Sequence, residues 1–205
     1  MKKIIFIAVA VSGLILPAVS EAQLGGLLGS KSATKSGPDV GAQQDTLVRN
    51  YMAAGNDVLT ANSQLSEALG IKAKAADALA KSDSISTKQL EDQDKAISAD
   101  AAAVSEALKS GAQLKDSEAK AKYAKGLLSL ATGVKKYLGL RKDAQDFTSG
   151  MSSASPLQMG KLQAGAYVAK SLPTSISNLT GVLKSAVEFG KSNGVEIPAD
   201  ATSVL

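Results

Sequence analysis

The chain has no cysteine, no histidine and no tryptophan. Each absence removes a class of chemistry. Without cysteine there is no disulfide, no thiol nucleophile and no lipid-modified cysteine. Without histidine the commonest general base and the usual zinc and haem ligands are gone. Three phenylalanines and four tyrosines are the whole aromatic complement, too few for the stacking platforms that hold sugars or single-stranded bases. Catalysis would have to rest on carboxylates, lysine, tyrosine or serine. The expectation is a protein that is not an enzyme and carries no cofactor and no metal.

What is present begins with a targeting pattern. Lys2 and Lys3 precede the apolar run IIFIAVAVSGLIL, Pro17 breaks it, and Ser20 and Ala22 set small residues before a cleavage point. Residues 1 to 22 therefore read as a secretory signal peptide, too short to span a bilayer comfortably, with the mature chain starting at Gln23. Export without disulfides fits a bacterial periplasm or exterior. Taking Lys2, Lys3 and Glu21 from the 23 basic and 19 acidic residues leaves a net charge of +3. That is far short of the dense basic face nucleic acid requires, so no nucleic-acid partner is expected. Residues 23 to 42, rich in Gly, Ser and Lys, read as a flexible leader.

From Gln43 a helical period takes over. Val48, Tyr51, Gly55, Val58, Asn62, Leu65 and Leu69 recur at spacings of three and four, one stripe on one helix face. Gly70 provides the stop through a left-handed C′ position. Asn62 stands inside that stripe and is a candidate register-setting polar contact between helices. A short helical segment, KAKAADALAKSD, follows. Ser86 and Gln89 then form a capping box, opening a helix whose Leu90, Ile97, Val104 and Asp94, Ala101, Leu108 fall on two seven-residue series. Asp94 interrupts the second series, an acid near the helix start where the dipole favours it.

A long helix over residues 114 to 147 comes next, either continuous with the previous one or joined to it by a tight turn for which Gly111 is the candidate stop. Ser155, Pro156 and Gln158 open another, which Pro173 kinks or ends. The last carries Ile176, Leu179, Leu183, Ala186, Val187 and Gly190 inward, closes at Asn193 and Gly194, and leaves residues 194 to 205 as a tail. No segment has strand-like alternation. The domain over residues 43 to 193 is thus expected to be all-α, an elongated, mostly antiparallel bundle of about five Ala-rich amphipathic helices. Glycines on inner faces at 55, 126, 133, 160 and 190 point to close helix approach and a light core.

No chemical motif survives inspection. Glu91, Asp92 and Asp94 lie on a helix and not on a loop able to wrap calcium. The Asn178-Leu179-Thr180 triplet falls inside an amphipathic helix, and QLGGLLGS follows no strand and cannot cradle phosphate. No small-molecule substrate is evident. The stretch GLLSLATGVKKYLGLRK at 126 to 142 carries an apolar stripe wider than one packing seam needs, with Leu128 and Leu140 outside it. A core helix is the favoured account, and a membrane-surface helix the alternative. Leu128, Leu140, Lys135, Lys136 and Tyr137 form the candidate interaction face. The function expected is an exported envelope or cell-surface protein-interaction module, binding a protein partner or itself; the alternative is a lipid-binding bundle.

Overall fold

The computed structural model describes residues 39–73 and 85–205. The signal segment, most of the leader and most of the short helical segment at 72 to 83 lie outside them. Among the described residues there are six helices and no strand: α1 (Val40–Ala68), α2 (Thr87–Lys109), α3 (Ser117–Met151), the single-turn α4 (Pro156–Met159), α5 (Gln163–Ser192) and the single-turn α6 (Ala199–Thr202). The architecture is an all-α bundle.

The local signals act largely as their chemistry dictates. α1 starts three residues before Gln43, because the Asp39 carboxylate accepts from the backbone of Gly41 and Ala42 and nucleates the first turn. It ends at Gly70 (φ +70°), where Ile71 N–H bonds Ser66 C=O at 2.9 Å and Gly70 N–H bonds Glu67 C=O at 3.1 Å, the paired closure of a Schellman motif. Ser86 and Gln89 cap α2 reciprocally. Residues 110 to 116 form a turn around Gly111 (φ +77°), and Asp116 opens α3 by accepting from Ala119 N–H at 2.8 Å.

Three expectations need correction. Pro173, expected to kink or end a helix, does not end one; α5 runs through it. Its ring lies on the exposed face, where water can serve the carbonyl it leaves free, while Leu172 and Ile176 anchor both halves in the core. The helix opened at Ser155 stops after one turn, and the chain tucks Leu162 inward (4% exposed) before α5 begins. The core is also less light than its alanine and glycine content suggests. Tyr51, Tyr123, Tyr137 and Phe147 are fully buried among Leu47, Leu65, Leu127 and Leu183. Scarce aromatics are concentrated inside.

α3 runs antiparallel to α1, with Leu65 against Gly126, Val58 against Gly133 and Val40 against Gly150. It runs antiparallel to α5 as well, with Phe147 against Gly165 and Tyr123 against Gly190. α2 completes the ring and runs parallel to its two neighbours. Its Gln93 bonds Met52 and Asn56 of α1 while Ile97 meets Asn62, and its Asp94 bonds Tyr167 of α5 while Leu108 lies near Ser185. The antiparallel pattern thus holds at the seams of α3. The longer connection between α1 and α2 removes the constraint that short links impose. Beyond α5, Val195 and Ala201 are buried, and α6 packs on α3.

Candidate functional site

The polar residues that matter converge on Asp94. α2 begins at Thr87, so Asp94 stands two turns in, beyond the reach of the helix dipole that first accounted for it. Its role is to join three helices. Tyr51 of α1 donates to both carboxylate oxygens, at 3.0 Å (Oδ1) and 2.9 Å (Oδ2), and lies 3.1 Å from Ser175 Oγ of α5. Tyr167 of α5 donates to Oδ2 at 2.7 Å. Beside it, Gln93 donates to Met52 C=O at 3.1 Å and Asn56 Oδ1 at 2.8 Å. Gly55 makes this possible, since a Cβ there would sit 2.4 Å from Gln93 Oε1. Tyr137 of α3 meets Tyr51 edge-on, with centroids 4.9 Å apart at 85°. Three of the chain's four tyrosines therefore surround one carboxylate.

Burial governs their ionisation. Desolvation raises the Asp94 carboxyl above its ordinary value, against the lowering effect of the Tyr167 and Tyr51 hydrogen bonds. Desolvation likewise drives Tyr51 and Tyr137 far upward, and Tyr167 is pushed up to about 12 by desolvation and its bond to Asp94. These hydroxyls stay protonated at neutral pH, and those of Tyr51 and Tyr167 act as fixed donors to Asp94. The Tyr137 hydroxyl is fully buried yet makes no well-formed hydrogen bond, with Tyr51 the side chain closest to serving it.

Asp94 lies in the wall of a cavity of about 580 Å³ between α2 and α5. Ile97, Ala101, Leu179 and Val182 give it apolar surface, and Ser98, Thr174, Asn178 and Lys170 a polar margin. A second hollow of about 640 Å³ shares Ser105, Asn178 and Val182 with it and extends to Phe189 and Ser192. Together they form a groove along the α2/α5 seam, of the size and mixed character that suits a bound ligand or side chains of a partner. Among the described residues no three His, Cys, Asp or Glu side chains come together as a metal site.

The interaction face expected on α3 divides. Tyr137 (0% exposed) and Leu140 (5%) are core residues and must be withdrawn from it. α3 sits between α1 and α5, and two seams need a stripe wider than one, which is what the extra apolar residues of 126 to 142 supply. Leu128 is exposed at 41% and Lys135 is exposed, while Lys136 pairs with Asp57 at 2.6 Å. No described helix is long and apolar enough to cross a membrane. Asn62 is fully buried between α1 and α2, where Nδ2 donates to Ile97 C=O at 3.3 Å and Oδ1 has no partner. The Asp94 cluster was missed as a site. Its visible signal was the charge at a heptad seam position, together with tyrosines on helix stripes that otherwise hold aliphatics. No known protein family, curated protein or solved structure matches the chain.

Proposed function

We propose that this protein is an exported, non-enzymatic module of the bacterial envelope that binds a protein partner in the groove between α2 and α5. The observation that carries the proposal is the groove itself: an open seam with apolar walls, a polar margin and a carboxylate held in place by two tyrosines. The signal-like residues 1 to 22 support export, and the lack of histidine and cysteine together with permanently protonated tyrosines supports binding over catalysis. The groove takes over from the α3 face as the docking surface, because the apolar stripe of α3 is consumed in packing against α1 and α5.

A chain without cysteine allows a clean test. Ala102 is exposed and lines the groove, so Ala102→Cys carrying a photoreactive group should cross-link one envelope protein, or a second copy of the chain. Leu128→Cys on the outer face of α3 serves as the control. Equal labelling of the same species from both positions, or none from position 102, rejects the groove. Mass spectrometry of the protein from its native envelope should find Gln23 at the N-terminus; an intact Met1 species would reject export by cleavage.

A further inference from the structure

Asp94 carries a charge without a counter-ion. None of the four ion pairs among the described residues includes it. Two hydroxyls disperse the charge but do not neutralise it. Half-buried carboxylates are costly to leave in that condition, and a cation brought into contact would offset the cost. Tyr137 contributes to the same cavity wall, and its buried hydroxyl makes no well-formed hydrogen bond.

We propose that Asp94 is the anchor for a single alkylammonium group, the side chain of a lysine on the partner polypeptide. This rests on the groove being the binding surface. The pattern of occupied acceptors selects ammonium over guanidinium. A carboxylate offers about four lone-pair positions; Oδ2 accepts from Tyr167 and shares the single Tyr51 proton with Oδ1, so Oδ1 is the more open oxygen. One point donor fits at Oδ1. A guanidinium fork needs both oxygens free and finds only one. The walls beside Asp94 suit the stem: Ile97, Ala101 and Leu179 offer apolar surface to four methylenes. Lys170 also lines the cavity, exposed and not paired with Asp94, and its like charge weighs against the incoming ammonium.

Nα-acetyl-lysine methylamide and its norleucine counterpart, which has the same apolar reach and no charge, test the assignment. Titrated into the purified, isotopically labelled protein, the lysine compound should shift the amide signals of Asp94, Ala101 and Asn178. It should bind at least about tenfold more tightly than the norleucine compound. Asp94→Asn, which keeps size and an acceptor, should abolish that preference. Tyr167→Phe, which keeps the carboxylate and removes a competing donor, should retain it, and Lys170→Met should hold or increase it. Equal binding of the two compounds, no binding of either, a preference that survives Asp94→Asn, or its loss in Tyr167→Phe or Lys170→Met overturns the anchor. If position 102 cross-links a protein while the lysine compound fails, the groove stands and the anchor alone falls. A lysine preference with no cross-linked protein overturns the polypeptide source.

Discussion

The α1/α3 seam and the α2/α5 seam are both lined by small residues, yet one is closed and the other open. Where α1 meets α3, each glycine faces something large: Gly126 receives Leu65 and Gly133 receives Val58, so closely that an added Cβ would lie 2.8 and 2.6 Å from those side chains. Ion pairs Lys122–Glu67 (3.0 Å) and Lys136–Asp57 (2.6 Å) flank the contact. Between α2 and α5, Ser98, Ala101, Ala102, Ser171, Thr174 and Asn178 line the seam, and the larger Ile97, Leu179 and Val182 beside them form walls without filling the space. Small residues close a seam where the opposite ridge interlocks with them; where it does not, a gap is left.

Insertion of volume separates the two seams most sharply. Gly133→Leu drives a side chain into Val58 Cγ2 at 2.6 Å and the Ala54 carbonyl oxygen at 3.3 Å, one of them backbone that cannot rotate away. A loss of about 3 kcal/mol is expected in denaturant unfolding, the upper end of overpacking costs. Ala102→Leu adds similar bulk over an open groove and should change stability by no more than about 0.5 kcal/mol. Comparable losses in the two variants would mean that the α2/α5 seam is closed in solution.

A smaller effect is expected where α3 meets α5. Tyr123 is fully buried and donates to the Ala186 carbonyl at 2.8 Å. Tyr123→Phe removes the donor and leaves that oxygen with less to bond, which should cost about 1 kcal/mol on thermal or chemical unfolding. An unchanged midpoint would show that the helix bond alone satisfies Ala186.

At the open seam the expected change is one of slope. Because burial raises the Asp94 carboxyl above 3.8, the folded chain holds its proton where the unfolded chain has lost it. Protons bound in excess by the folded state mean that stability falls as pH rises from the ordinary Asp value to the raised one, and stays lowered above that. Asp94→Asn should therefore remove that fall: relative to the parent, the variant gains stability as pH rises through this window and holds or slightly exceeds it at neutral pH. A variant that loses stability relative to the parent as pH rises, or shows a marked loss at neutral pH, would show that the carboxylate charge is a net support of the three-helix junction.

These particulars mark what periodicity conveys. The stripe from Val48 to Leu69, the Gly70 stop, the Ser86 cap and the inner face from Ile176 to Gly190 rest on interactions within a turn or two, and all are found as read. The sequence pattern puts Gly160 on an inner face, but it is exposed at a turn with open space where a Cβ would sit. Continuity through Pro173 depends on which face the ring occupies, and the direction of α2 on a connection without periodicity. Leu140 looks superfluous on one stripe and becomes core once a second partner helix is known. Asp94 was conspicuous as a charge in a heptad, but Tyr51 and Tyr167 come from helices 43 and 73 residues away in sequence. Only tertiary assembly unites them.

The smallest expected effect belongs to Tyr137. Its ring and that of Tyr123 are equally buried, but the hydroxyls differ: Tyr123 has a carbonyl at 2.8 Å, while Tyr137 makes no well-formed bond at the wall of the groove. A buried hydroxyl with at best a poorly formed bond has given up water for little return, so its removal incurs almost no cost. Tyr137→Phe keeps the edge-on contact with Tyr51 at 4.9 Å and the packing of α3 in the core. Stability should stay within about 0.5 kcal/mol of the parent, on either side. Measured beside Tyr123→Phe, the difference should come close to the whole cost of the Tyr123 variant. A loss of about 1 kcal/mol or more in Tyr137→Phe would mean that the hydroxyl is bonded in solution, by water reaching it through the groove or by a rotated Tyr51. The groove would then extend to the centre of the bundle, and Tyr137 would join Asp94 among the groups presented to whatever enters.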